Sequence, residues 1–227
     1  MSREKALLAW SSGKDSAFSL HVLRQQGDVE VCGLLTTVNE TFDRVAMHAV
    51  RRELLEAQAE AAGLPLVIVR IPHPCPNEAY EAAMSRAMAE ARGQGVTAVA
   101  FGDLFLEDIR RYREERLAGT GIRPLLPLWG RPTRALAEEM LASGLKARIT
   151  CVDPRALPAS FAGREFDAAL LEDLPAGVDP CGENGEFHTF AWDGPMFRHP
   201  VRVRTADRVE RDGFVFADLL AAEGLPA

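Results

Sequence analysis

Four short apolar runs, at residues 6–10, 29–37, 66–71 and 96–101, are separated by three longer segments in which apolar residues return every three or four positions. Ala17, Leu20 and Leu23 mark the first of these segments, closed by Gly27, as one face of a helix. Met47, Val50, Leu54, Ala57 and Ala61 mark the second, ended by Gly63, and Tyr80, Met84, Ala87 and Ala91 the third. Strands spaced by helices of this length build βαβ units, whose right-handed crossovers cover both faces of a parallel sheet. The expected fold class is therefore α/β, with a parallel, Rossmann-like sheet. Beyond Pro127 the rhythm changes. A helix at 133–143 precedes an apolar segment at 147–152, and Phe166 and Leu170 leave room for a turn or two of helix. After a Gly- and Pro-rich loop at 175–185, alternating segments at 187–192, 201–205 and 209–216 read as short antiparallel strands, with Asp193-Gly194 and Asp212-Gly213 as turns. Residues 1–127 are read as the parallel-sheet domain and 128–227 as a smaller α+β domain.

Charge and cysteine usage narrow the function. The formal net charge is −7, which disfavours a broad face for duplex nucleic acid. No apolar run approaches the roughly 18 residues of a membrane span. Cys32, Cys75, Cys151 and Cys181 are scattered without a CxxC pair, so structural zinc and a disulfide framework are disfavoured. With no signal-peptide pattern at the start, the expected location is the cytoplasm.

The strongest local signal is Ser11-Ser12-Gly13-Lys14-Asp15-Ser16, between the first strand and the first helix. Backbone N–H groups at a helix N-terminus, aided by the helix dipole, favour an anion there. Gly13 permits close approach of a phosphate, and Ser11, Ser12 and Ser16 offer small hydroxyl donors. Lys14 is expected to add a mobile positive charge, and Asp15 to hold a magnesium ion or orient the loop. The simpler reading is a helix cap. A position beyond the carboxyl end of the first strand of an open parallel sheet favours a ligand. The segment is not a Walker A loop.

Residues 11–16 resemble the SGGxDS loop of PP-loop ATP pyrophosphatases, with Ser12 where that loop carries its first glycine. The resemblance extends to the diphthine–ammonia ligase family through Asp179-Pro180-Cys181-Gly182-Glu183-Asn184-Gly185-Glu186-Phe187-His188-Thr189, and through Gly102-Asp103 followed by Arg110, Tyr112, Arg113 and Glu114. It implies a HUP-type ATP-binding domain that uses ATP and Mg2+. The implied reaction is adenylation of a carboxylate with release of pyrophosphate, then attack by ammonia to give an amide and AMP. The implied partners are ATP, ammonium and a carboxylate acceptor, which for this family is diphthine on elongation factor 2; a homodimer is left open. His48 resembles a Met-His or Phe-His position near the nucleotide in that family.

Within this frame the catalytic candidates are Lys14, Asp15, Asp103, Glu183, Glu186 and His188. Carboxylates and an imidazole can orient ammonium, deprotonate it or shuttle its proton. Asp179, Cys181, Gly182, Glu183, Asn184, Gly185 and Thr189, together with Arg110 and Arg113, are the candidates for the acceptor. Ser11 to Ser16, Gly102, Thr36 and His48 are those for ATP, with Gly102 letting the nucleotide approach. Thr36 enters by fold analogy alone. Three other readings stay open: the same chemistry on another acid, tRNA thiolation through a thiol such as Cys181, and ATP binding without turnover.

Overall fold

The computed structural model describes residues 3–40, 44–45 and 50–222. Strands β1 (Glu4–Ala9), β2 (Val29–Asn39), β4 (Leu66–Ile71), β5 (Val96–Ala100) and β6 (Arg123–Leu125) form the parallel sheet expected from the alternation, in the order β4-β2-β1-β5-β6. β3 (Arg44–Val45) joins β2 antiparallel at Val38 and Asn39. Along β1 the side chains alternate. Ala6 and Leu8 enter one core cluster and Leu7 the other, the period of two that a sheet buried on both faces requires. The helices α1 (Lys14–Gln26) and α2 (Arg52–Ala62) cover the first face, and α3 (Asn77–Gly93) and α4 (Glu107–Leu117) the second.

The remaining chain supplies α5 (Thr133–Ala142), β7 (Lys146–Val152), a 3-10 turn at Ala159–Phe161, α6 (Ala168–Asp173), β8 (Phe187–Asp193), β9 (Val203–Arg211) and β10 (Phe214–Ala221). Its four strands form an antiparallel sheet in the order β8-β7-β10-β9. The two sheets do not keep separate cores. One cluster runs from Leu8, Leu20 and Leu55 through Leu136 and Met140 to Phe187, Phe190 and Val215. Burial of the α1 and α2 faces thus depends on the second sheet.

Three elements depart from expectation. The helix expected from Met47 begins at Arg52, after an extended Arg51; Met47 and His48 lie outside the described residues. The segments 201–205 and 209–216 are differently divided: β9 runs unbroken from Val203 to Arg211, and the expected turn at Asp212-Gly213, both with positive φ, leads into β10. As an edge strand β9 buries little, and Val209 is 54% exposed, so its apolar pattern is too weak to mark its ends. β6 is short and contains Pro124, an edge-strand residue lacking a ladder donor. Among the described residues no helix is long and apolar enough to cross a membrane.

Candidate active site

Strand order reverses at β1. The chain goes from β1 outward through β2 to β4, then returns to β5 on the other side. A crevice opens at the carboxyl ends flanking such a reversal. Two of the sequence motifs end there: residues 11–16 follow β1, and Gly102-Asp103 follows β5.

The 11–16 loop is small and tightly bonded. Gly13 caps α1 in extended conformation without a side-chain bond. Its N–H donates to Ser11 Oγ at 3.3 Å, and Ser16 Oγ donates to its carbonyl at 3.0 Å. Ser12, standing where the resembled loop has glycine, takes a glycine's conformation, with φ of 69°. Its hydroxyl is buried without a hydrogen-bond partner, and so is that of Thr36 on β2. Buried hydroxyls with no partner are costly, and the oxygens of a polar ligand are the kind of group that would satisfy them. Gly102 faces the backbone of α1. A Cβ there would lie 3.0 Å from the Asp15 carbonyl carbon and the Ser16 nitrogen, so its lack of a side chain serves the first turn of α1 rather than open space for a nucleotide.

Lys14 is not a mobile charge. Its residue is 1% exposed, and its ammonium donates to both oxygens of Asp15, at 3.0 and 2.9 Å, and to the Cys181 carbonyl. It lies 5.5 Å from the ring centroid of Phe166 and 5.4 Å from that of Phe187, positions favourable for a cation. Burial works against the ammonium, but Asp15, with Glu183 further off, outweighs it and holds the Lys14 pKa above its ordinary value. Burial also raises the Asp15 carboxyl against the pull of Lys14; the contact through both oxygens favours the ion pair. The Lys14 backbone N–H donates to Thr189 Oγ1 at 3.1 Å. One residue of α1 thus ties into both ends of the 179–189 segment.

That segment organises itself with its own carboxylates. Glu186 is 7% exposed; Oε1 accepts from the Asp179 N–H and from Asn184 Nδ2, at 2.9 and 3.0 Å, and Oε2 accepts from the Asn184 N–H at 3.0 Å. Asp179 Oδ1 accepts from the N–H groups of Cys181 and Glu183, at 2.8 and 3.2 Å, a side-chain turn of the kind Asp favours. Gly182 is left-handed, and a Cβ there would lie 2.8 Å from the Phe187 carbonyl, so the sharp turn needs glycine. The acid that leaves the loop is Glu183, whose Oε1 accepts from the Leu104 N–H at 2.7 Å, just past β5. Burial raises its carboxyl to about 7; Leu104 pulls it down, and Asp15 and Asp103 push it up. His188 is held below its ordinary pKa by burial and by Lys14, so its imidazole is neutral at neutral pH.

The other candidates divide. Asp103 is ion-paired with Arg113 at 3.3 Å, and the Arg113 guanidinium lies 4.6 Å from the Phe101 ring centroid; this pair belongs to the crevice. Arg110 pairs with Glu114 along α4 and stacks on Trp129 at 5.1 Å, further out. Cys181, read as the exposed thiol, is 2% exposed; its Sγ contacts the Thr133 carbonyl at 3.4 Å, and burial pushes its pKa up to about 12. Cys151 is raised to about 12 by the same cause. Neither thiol is a nucleophile at neutral pH. Among the described residues no group of three His, Cys, Asp or Glu side chains is placed to hold a metal. Magnesium bound with a nucleotide needs only one or two carboxylates beside phosphate and water; Asp15 and Asp103 are oxygen donors of that kind, engaged here by Lys14 and Arg113.

Sequence reading passed over Gln58. This α2 residue is fully buried and donates to the Ser12 and Ala191 carbonyls at 3.0 and 2.6 Å. Its signal was present, since it falls four residues after Leu54 and four before Ala62 on the helix's buried face. A polar side chain there needs a buried partner.

Comparison with known proteins agrees with this architecture. Residues 4–124 match the diphthamide synthase N-terminal domain and residues 132–218 the diphthamide synthase C-terminal domain. The diphthine–ammonia ligase of Danio rerio is 29% identical, covering 91% of this chain and 89% of that protein. Those of Mus musculus and Homo sapiens are 28% and 26% identical, each covering 91% of this chain and 85% of its own length. With both of its halves matched in order, the chain belongs to the diphthamide synthase family.

Proposed function

We propose that the protein is an ATP-dependent, AMP-forming ligase that joins ammonia to a carboxylate. Residues 1–127 hold ATP and residues 128–227 present the acceptor. The acceptor named by its relatives, diphthine, is the one proposed here. The observation that carries the reading is the direct bonding of the 179–189 loop onto the first turn of α1, through Lys14 to Thr189 and Cys181. A phosphate-type loop and an acid-bearing loop locked face to face suit a reaction in which one substrate's carboxylate must meet the other's α-phosphorus.

In the first step a carboxylate oxygen attacks the α-phosphorus and pyrophosphate leaves. In the second, ammonia attacks the acyl carbon and AMP leaves. Ser11, Ser16 and the N-terminal amides of α1 receive the phosphates. Lys14, held from behind, keeps that turn in place. Asp15 and Asp103 are the residues that would hold magnesium, which when bound would neutralise phosphate charge. Glu183 titrates near neutrality, the range suited to taking a proton from ammonium, and the neutral His188 is a second acceptor. Glu186 and Asp179 spend their oxygens inside the loop and act by shaping it. The buried thiols speak against the thiolation reading.

Product analysis with ATP, Mg2+, ammonium and a diphthine-bearing protein tests this. AMP and pyrophosphate, formed together with the amide, are expected; ADP would overturn the α-phosphorus mechanism. Glu183→Gln should retain ATP binding and lose about 10²-fold in amide formation, the low end for loss of a general base.

A further inference from the structure

Ser12 carries a Cβ in the left-handed region, at φ 69°. Such a residue is strained and persists where its surroundings over-determine it. Here its carbonyl is held by two donors, the Ala191 N–H at 2.9 Å and Gln58 Nε2 at 3.0 Å. The same Nε2 donates to the Ala191 carbonyl at 2.6 Å, and Gln58 Oε1 accepts from the Trp10 indole at 2.9 Å. One buried amide thus joins the end of β1, the loop and β8, and both of its N–H groups are used. In a trans peptide the carbonyl and the following N–H point in opposite directions. Pulling the Ser12 carbonyl toward α2 therefore turns the Gly13 N–H the other way, where it meets Ser11 Oγ.

We infer that Gln58 is a positioning residue for the nucleotide loop: by fixing the Ser12 carbonyl it sets the 12–13 peptide plane, and with it the Gly13 amide and Ser11 hydroxyl that face the phosphates. The inference rests on the assignment of residues 11–16 to ATP. The amide also compensates for serine at a glycine position, because it stabilises a conformation that glycine adopts without strain. A glycine at position 12 lessens the need for it.

Calorimetric titration of Mg-ATP into the full-length protein, its Gln58→Met and Ser12→Gly variants and the double variant tests this. Gln58→Met should weaken ATP binding about tenfold in the Ser12 protein, the loss expected from one buried hydrogen bond. In the Ser12→Gly background it should weaken binding less than about threefold. A purely structural glutamine would lower the melting temperature equally in both backgrounds and leave the folded protein's ATP affinity alone; that result, or equal weakening in both backgrounds, overturns the inference. If the unsubstituted protein binds no ATP, the functional reading fails and this one with it. Should Gln58→Met not fold, Trp10→Phe, which frees the far end of the amide, carries the test. It should weaken binding about threefold with Ser12 and not in the Ser12→Gly background, and unchanged affinity with Ser12 overturns the inference.

Discussion

The two loops that meet at the site draw on different supports. Residues 179–189 hold themselves, with Glu186 and Asp179 accepting from backbone and side-chain donors two to seven residues away. Residues 11–16 bond among themselves through Ser11, Gly13 and Ser16, but are also held by distant groups: Gln58 from α2, Ala191 and Thr189 from β8, and the Cys181 carbonyl through Lys14. A self-supporting loop can project one acid, Glu183, into the crevice without losing its shape. A loop supported from outside as well can leave a group such as the Ser12 hydroxyl for a ligand, at the cost of depending on packing between the two sheets.

Removing Lys14 tests that dependence most severely. Lys14→Met would leave the Asp15 carboxylate and the Cys181 carbonyl without their shared donor. Breaking a buried pair in this way costs about 3–5 kcal/mol, and the 26% exposure of the Asp15 side chain places the expected loss near the lower end. The urea midpoint should fall accordingly, in the absence of any nucleotide. If stability is unchanged and only ATP binding weakens, Lys14 is a phosphate ligand first, and the contrast between the loops disappears.

The same contrast explains what was legible in the sequence. Asp179, Asn184 and Glu186 could be recognised as a unit because their side-chain partners lie within the motif itself, whereas the Leu104 partner of Glu183 could not. The parallel sheet was legible for a similar reason: each apolar run, and each three-to-four-residue repeat between runs, is local to its own segment. The supports of the first loop were not, since Thr189 lies 175 residues from Lys14 and Gln58 lies 46 from Ser12. Lys14 is the instructive case. Its sequence context points to a solvent-facing charge, and only the arrival of Phe166, Phe187 and the Cys181 carbonyl turns it inward. Glu186 shows the converse, since a carboxylate that looks reactive in a motif is used up by three donors within it. The end of β9 was hidden because an exposed edge strand carries little apolar pattern.

Gly102 supplies a smaller test of external support. Gly102→Ala would bring a methyl carbon to 3.0 Å from the α1 backbone at Asp15 and Ser16, forcing a shift of a few tenths of an ångström in the helix's first turn. Overpacking of this kind costs about 1–2 kcal/mol. The melting temperature should drop, and the KM for ATP should rise more than kcat falls, because the turn that moves is the one proposed to receive the phosphates. An unaltered KM would mean that the turn has room to spare, and that the first loop is less tightly placed than its contacts imply.

The smallest effect concerns the acid that the second loop sends out. In the unfolded chain Glu183 titrates near its usual 4.5, whereas in the folded protein burial raises it to about 7. Between these values the folded state binds more protons than the unfolded one, so this residue's contribution to stability declines as pH rises from 4.5 toward 7 and levels off beyond. The group is only partly buried, and solvent screening reduces the expected change to about 1 kcal/mol. Glu183→Gln can still accept from the Leu104 N–H but cannot titrate, so it should remove this component. Chemical denaturation at several pH values, comparing the two proteins, measures the difference directly. A difference that grows between pH 4.5 and 7 in favour of the glutamine variant would show that the self-held loop spends stability to keep a desolvated acid in the crevice. Parallel curves would mean that Glu183 titrates like an exposed carboxyl; the second loop would then gain nothing from its rigidity, and the division of labour between the two loops would lose its energetic basis.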